Sequence, residues 1–196
     1  MTTERIADYP VESLFLNRWS PRAYDGNAMP EADLRSMLEA ARWAPSAYNV
    51  QPWRFLYSLR DDENWQDYVD LLDPFNAAWA QHASALLYVL SDTVMPGDGD
   101  RPEKPSGTHS FDAGAAWAQL ALQATSLGYQ AHAMAGLYRD LSRIRLHIPD
   151  QYRIEIAIAI GKRAAPSILS NELQTREQPS QRFALDKIAF AGRFPQ

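Results

Sequence analysis

Arg18-Trp19-Ser20-Pro21-Arg22 sets two guanidinium groups on either side of a small hydroxyl. That combination suits a phosphate monoester, because guanidinium forks match phosphate oxygens two at a time and a hydroxyl adds one short hydrogen bond. A second segment, Ala44-Pro45-Ser46-Ala47-Tyr48-Asn49-Val50-Gln51-Pro52-Trp53, offers different chemistry. Ser46 brings a hydroxyl, Asn49 and Gln51 bring side-chain amides, and Pro45 and Pro52 stiffen the backbone that carries them. Neutral amides on a rigid loop can read a ring or sugar that presents both donors and acceptors. A phosphate grip followed by such a reader points to a phosphorylated cofactor.

Other chemistries find little support. His82, His109, His132 and His147 are scattered, with no pair at metal-ligand spacing, and are read as structural. The chain has no cysteine, so a disulfide, a thiol nucleophile and a thiolate metal site are excluded, and redox chemistry must come from a bound group. Gly97-Asp98-Gly99-Asp100 is no phosphate loop, since no Lys-Ser/Thr follows. No Gly-x-Ser-x-Gly is present to support a nucleophile-elbow hydrolase. A net charge of −5 gives no basic face for nucleic acid. Hydrophobic residues make up 46% and charged residues 22% of 196 residues, the composition of one globular domain over residues 1–196. The first residues lack a basic-then-apolar signal and no apolar run is long enough to span a bilayer, so a cytoplasmic protein is expected.

The elements that must hold these residues follow from periodicity. Leu34, Met37, Leu38 and Ala41 recur with helical spacing between Pro30 and Pro45. Trp53 to Leu59 reads as a strand, and a short helical stretch surrounds Asn64 to Leu72. Ala85 to Leu90 reads as a strand buried on both faces. Thr93 to Ser110 is a polar loop rich in Pro and Gly, read as either a surface excursion or a substrate-access flap. Phe111 to Leu127 is the longest helical pattern, with Gly128 placed to end it. Ala131 to Leu137 is a short extended segment, Leu141 to Leu146 one or two helical turns. Ile154, Ile156, Ile158 and Ile160 alternate along one side of a strand from Arg153 to Ile160. Residues 162–196 are polar and read as an extended arm ending in a short helix near Ala184 to Phe190. An arm this long cannot bury much against so small a core, so it is expected to wrap a partner subunit. Interleaved helices and strands give an α/β fold class.

The two opening segments resemble the nitroreductase family of flavin mononucleotide (FMN) enzymes. Members carry an Arg-x-Ser-x-Arg-like stretch, a helix ending in Ala-Arg-x-Ala-Pro-Ser, then Asn-x-Gln-Pro-Trp. Here these are Arg18 to Arg22, Ala41-Arg42-Trp43-Ala44-Pro45-Ser46, and Asn49-Val50-Gln51-Pro52-Trp53. The resemblance implies a mixed central sheet surrounded by helices, an α+β arrangement, in an intertwined homodimer with FMN at the subunit interface. It assigns Arg18, Trp19 through its backbone, Ser20, Arg22 and Arg182 to the phosphate and ribityl chain. Pro45, Ser46, Asn49 and Gln51 form the loop that one subunit lends to the flavin held mainly by the other. Asn76 contacts the pyrimidine end of the ring. Met134, Ala135 and Gly136 face the flavin, with the amides of Ala135 and Gly136 near N5 and O4. The chain departs from the family in three places. Ser180 or Gln181 stands where many relatives have a lysine, Trp79 where a lysine often follows Asn76, and Ala135 where an acidic residue is common.

The activity implied is hydride transfer from NADH or NADPH through flavin N5 to a small acceptor such as a nitroaromatic or quinone, in ping-pong order. No side chain is assigned as a catalytic acid, base or nucleophile, and no metal is expected. Two alternatives stay open: other FMN chemistry (reductive dehalogenation, an oxygen-using reaction or small-molecule dehydrogenation), and a flavin-binding protein without turnover.

Overall fold

A sheet whose two inner strands carry the longest apolar runs divides the molecule into two layers of core. The computed structural model describes residues 5–97, 99 and 102–195. Its elements are α1 (Ser13–Asn17), α2 (Glu31–Arg42), β1 (Trp53–Leu59), α3 (Trp65–Asp70), α4 (Pro74–Ala80), β2 (Ala85–Asp92), β3 (Val94–Met95), β4 (Lys104–Pro105), α5 (His109–Ser126), β5 (Gln130–Met134), α6 (Arg139–Arg145), β6 (Tyr152–Gly161) and α7 (Asn171–Gln174). Single 3-10 turns cover Ala47–Asn49, Pro166–Ile168 and Leu185–Lys187, the last standing where the short helix of the arm is expected. Asp98, Asp100 and Arg101, which belong to the polar excursion, lie outside the described residues. The rest of that excursion folds back as a two-stranded ladder of β3 and β4.

β2 runs β1 on one side and β6 on the other, and β5 closes the far edge of β6, giving the order β1-β2-β6-β5. Every pairing is antiparallel. The α+β class therefore stands, while the mixed sheet is antiparallel throughout within the described residues of this chain. Burial on both faces did not require parallel neighbours, because helices cover both faces. Leu86, Tyr88 and Leu90 point to a cluster with Trp79, Tyr68 and Leu137. Ala85, Leu87 and Val89 point to α2 and α5 through Leu34, Met37, Ala116 and Leu120.

β6 alternates less simply than its sequence. Val89 pairs with Ile156 but Leu90 pairs with Ile154, leaving Glu155 as an extra residue in a bulge. A bulge shifts the side-chain parity by one. Ile154 therefore joins the Tyr88 face, whereas Ile156, Ile158 and Ile160 pack on the α5 face. The bulged Glu155 carboxylate accepts from the Ser91 and Ser110 hydroxyls at 2.5 and 2.6 Å, fastening the start of α5 to the sheet.

Candidate functional site

Arg18, Trp19, Ser20 and Arg22 leave α1 and cross the open edge of β5, where the Trp19 backbone N–H donates to Gln130 Oε1 at 3.2 Å. The arm returns to the same place. Glu177 accepts from the backbone N–H of Arg22 at 2.9 and 3.0 Å and of Ala23 at 2.9 Å, pinning the loop that carries the second arginine. Between these segments lies a cavity of about 280 Å³ whose walls include Arg5, Arg18, Arg22, Arg176 and Arg182. Arg18 Nη1 donates to Ser20 Oγ at 3.3 Å, so cation and hydroxyl sit together as the sequence suggests. Burial, then the neighbouring Arg182, depresses the pKa of Arg18; burial, then Arg176, depresses that of Arg22. Crowded like charges of this kind are relieved by an anion.

Two buried donors make the same point. Arg22 Nε and Trp19 Nε1 have no hydrogen-bond partner among the described residues. Unpaired buried donors are uncommon in folded proteins and mark a missing acceptor. Phosphate oxygens fit this donor set, which holds guanidinium groups, an indole N–H and a hydroxyl but no carboxylate on its lining. The Trp19 backbone N–H is held by Gln130, and its indole Nε1 is a buried donor without a partner among the described residues.

Three wall residues went unread in the sequence. Arg5 reaches in from the N-terminal segment, donating to the Arg18 carbonyl at 2.6 Å and the Ser180 carbonyl at 3.0 Å. Arg176 stands four residues before Ser180 and brings a cation from the arm to the cavity wall. His132, read as structural, also lines the cavity, with Nδ1 2.8 Å from the Pro21 carbonyl oxygen and its ring 4.7 Å from Trp79. Only Arg176 had a local signal, its nearness to the Ser180 position.

Pro45, Ser46, Asn49 and Gln51 do not join this cavity. They lead directly into β1, the opposite edge of the sheet from β5. Three inter-strand spacings separate the edges, roughly 14 Å. Asn49 and Gln51 are exposed, and Tyr48 is 85% exposed. Tyr48, Asn49 and Gln51 all adopt left-handed φ, at 52°, 56° and 53°. Non-glycine residues are seldom held there except where surrounding contacts fix them, often at functional sites. The fixing contacts are visible: Gln51 N–H donates to Ser46 Oγ at 3.0 Å, and Ala47 N–H to the buried Asp112 carboxylate at 3.2 Å.

Asn76 and Gly136 meet beyond the far end of β5. Asp73 caps α4 by accepting from the Asn76 N–H at 2.7 Å, and Asn76 Nδ2 donates to the Gly136 carbonyl at 3.1 Å. A Cβ at Gly136 would lie 1.8 Å from Asp73 Oδ2 and 2.6 Å from Asn76 Nδ2. The glycine is thus demanded by the α4 cap. Met134 is buried among Trp79, Tyr24 and Leu137 rather than facing a cavity, so only its backbone borders the edge. Ala135 is exposed and Trp79, in place of the family lysine, is a core residue stacked beneath Arg22 at 5.8 Å. From His132 to Gly136 the chain covers about 13 Å if fully extended. One edge of the molecule therefore carries the cationic cavity at one end and the Asn76–Gly136 contact at the other. No helix among the described residues is long and apolar enough to cross a membrane.

A profile described as the nitroreductase family matches residues 16–72 and 57–162. A Thermus thermophilus protein named NADH dehydrogenase is 31% identical over 185 residues, spanning 81% of this chain and 89% of its own. The crystal structure of an oxidoreductase containing FMN superposes with a TM-score of 0.95 at 49% identity, covering 100% of this chain and 98% of that one. A Desulfovibrio desulfuricans protein, described as a nitroreductase in complex with FMN, gives a TM-score of 0.72 at 25% identity, covering 96% of this chain and 100% of its own.

Proposed function

The chain belongs to the nitroreductase family and is an NAD(P)H-dependent flavin oxidoreductase, and from that premise we propose that two copies of it hold FMN between them. The observation that carries the proposal is the separation of the half-sites. A cationic cavity with unpaired buried donors sits on the β5 edge, and a strained, exposed amide loop sits on the β1 edge of the same sheet. One copy supplies Arg18, Trp19, Ser20, Arg22 and Arg182 to the phosphate, assisted by Arg5 and Arg176. A second copy supplies Pro45, Ser46, Asn49 and Gln51 to the rest of the cofactor. Asn76, Met134, Ala135 and Gly136 line the ring end of the first copy's edge. In this region the N–H groups of Ala135 and Gly136 have no protein acceptor among the described residues, which leaves them available to a ring acceptor.

When bound, FMN supplies the hydride chemistry, taking hydride from NADH or NADPH at N5 and passing it to a nitroaromatic, quinone or similar acceptor in ping-pong order. The protein's own groups bind, orient and tune; none is needed as an acid, base or nucleophile. Dependence on NAD(P)H goes with a cytoplasmic setting.

Purified protein reconstituted with FMN is expected to be yellow, to elute as a dimer, and to bleach under argon on addition of NADH or NADPH. A colourless protein that ignores added FMN would end the proposal. A yellow protein that no reduced nicotinamide bleaches would instead mark a flavin carrier.

A further inference from the structure

We propose that His132 is a specificity-determining residue of the arginine cavity, its Nε2 accepting a hydrogen bond from an O–H group on the bound phosphate monoester. The inference rests on the phosphate reading above and adds a demand that arginines cannot make. His132 Nδ1 lies 2.8 Å from the carbonyl oxygen of Pro21. A carbonyl only accepts, so Nδ1 carries the proton, and Nε2 of the neutral ring is a bare lone pair. The ring lines the cavity, packs against Trp79 with centroids 4.7 Å apart at a 35° tilt, and is held at Nδ1 by Pro21, which leaves Nε2 as its remaining polar atom. Arg18 and Arg22 face it from the loop after α1 and Arg176 from the arm, all of them donors only. Burial foremost, joined by the charges of Arg22, Arg18 and Arg176, holds its pKa down at about 4, against the opposing pull of the Pro21 carbonyl. The ring is therefore neutral wherever the protein works.

Arginines would accept any anion. A lone pair set among them discriminates, because a fully ionised bare anion offers it nothing, whereas a polyol phosphate brings hydroxyls close to its phosphate. The O–H has two sources: a carbon hydroxyl of the polyol, or the P–OH of a monoprotonated phosphate.

His132→Asn keeps an amide donor near the position of Nδ1 and deletes the acceptor; His132→Gln returns an amide oxygen near the position of Nε2. In fluorescence titrations, H132N should weaken FMN about three- to tenfold, and H132Q should recover most of that loss. Ribitol 5-phosphate and sulfate, an anion with no O–H, are then tested as competitors at pH 8, where the monoester is a dianion without P–OH. If a carbon hydroxyl is the donor, H132N weakens ribitol 5-phosphate by the same factor and leaves sulfate unchanged. If P–OH is the donor, H132N changes neither at pH 8 and weakens FMN and ribitol 5-phosphate below about pH 6, where the monoester takes up a proton. FMN binding to H132N as tight as before at both pH values, or an equal loss for all three ligands at every pH, overturns the inference. A readout on the unaltered protein guards against misfolded variants: the ¹⁵N resonance of His132 Nε2 should shift when ribitol 5-phosphate is added, and a static resonance overturns it. Failure of the underlying phosphate reading looks different, since neither ribitol 5-phosphate nor sulfate would then compete with FMN at any pH.

Discussion

Arg22 carries more of the cavity's logic than its neighbours because two contacts fix it while its Nε stays unmatched. Its backbone is clamped by Glu177, its guanidinium lies over Trp79, and its buried Nε has no protein acceptor. Arg22→Ala should therefore remove one charge-assisted contact without loosening the loop. FMN retention, measured by equilibrium dialysis, should weaken on the order of 1.5–3 kcal/mol. Unchanged retention would show that the phosphate lies elsewhere. His132 gives a second prediction, with a definite sign. Its folded pKa of about 4 is below the ordinary 6.5, so the unfolded chain binds more protons between those values. Its contribution to stability is complete above pH 6.5 and is lost as pH falls toward 4, up to about 3 kcal/mol in all. Urea unfolding of the FMN-free protein should show this fall, and H132N should flatten it. The residues lining the cavity divide by legibility. Arg18, Ser20 and Arg22, which the structure brings together on its wall, are legible because their spacing is local. Arg5 and His132 are not, because each reaches the cavity through contacts between segments far apart in the chain, and Glu177, which clamps the Arg22 backbone from outside the lining, is no more legible for the same reason.

Elements hide their reasons in the same way. The long helix, the buried strand Ala85–Asp92 and the helix Glu31–Arg42 are announced by period and by bounding prolines or Gly128, whose φ of +80° ends α5. α4 shows no periodicity over seven residues, yet Asp73-Pro74 is a capping signal with proline at the first helical position. The bulge at Glu155 leaves no mark in an Ile-x-Ile-x pattern, since it is set by the fit of β6 to β2 and by the hydroxyls waiting at Ser91 and Ser110. Gly136 joins elements that sequence separates, because its missing Cβ is what lets Asp73 cap α4. Gly136→Ala should displace that carboxylate and loosen α4, on which Asn76 and Trp79 ride. The expected cost is about 1–3 kcal/mol, read as a lower urea midpoint with an unchanged slope. A midpoint equal to that of the unaltered protein would mean the cap relaxes freely.

At the scale of the whole molecule, the arm beyond α7 contributes nothing to either core, whose last member is Leu173. It lies along residues 5–16 instead, joined where Leu185 N–H donates to Asp8 at 2.9 Å and where Arg5 reaches Ser180. Phe183 is 81% exposed, Ile188 62% and Ile6, which lines the same cleft between the arm and the N-terminal segment, 82%. Apolar side chains so gathered and uncovered are the mark of a surface that another molecule occupies. The sequence reads residues 162–196 as one arm too polar to pack on its own core; Leu169 and Leu173 nevertheless join that core, and the contacts of the rest with a distant N-terminal segment leave no local signal. Coverage by a second copy, as proposed above, would also account for the amide loop and the arginines lying on opposite edges, because pairing two copies can bring unlike edges together. Ending the chain after Glu177 keeps both cores and the clamp on Arg22, and removes Arg182 with the apolar arm. The shortened protein should unfold cooperatively at close to the original urea midpoint at low concentration. In light scattering it should run at the mass of one chain where the full protein runs at two, and it should lose FMN on dialysis. If it stays a dimer that keeps its flavin, the arm is ornamental to the site and the contact between copies lies elsewhere on the chain.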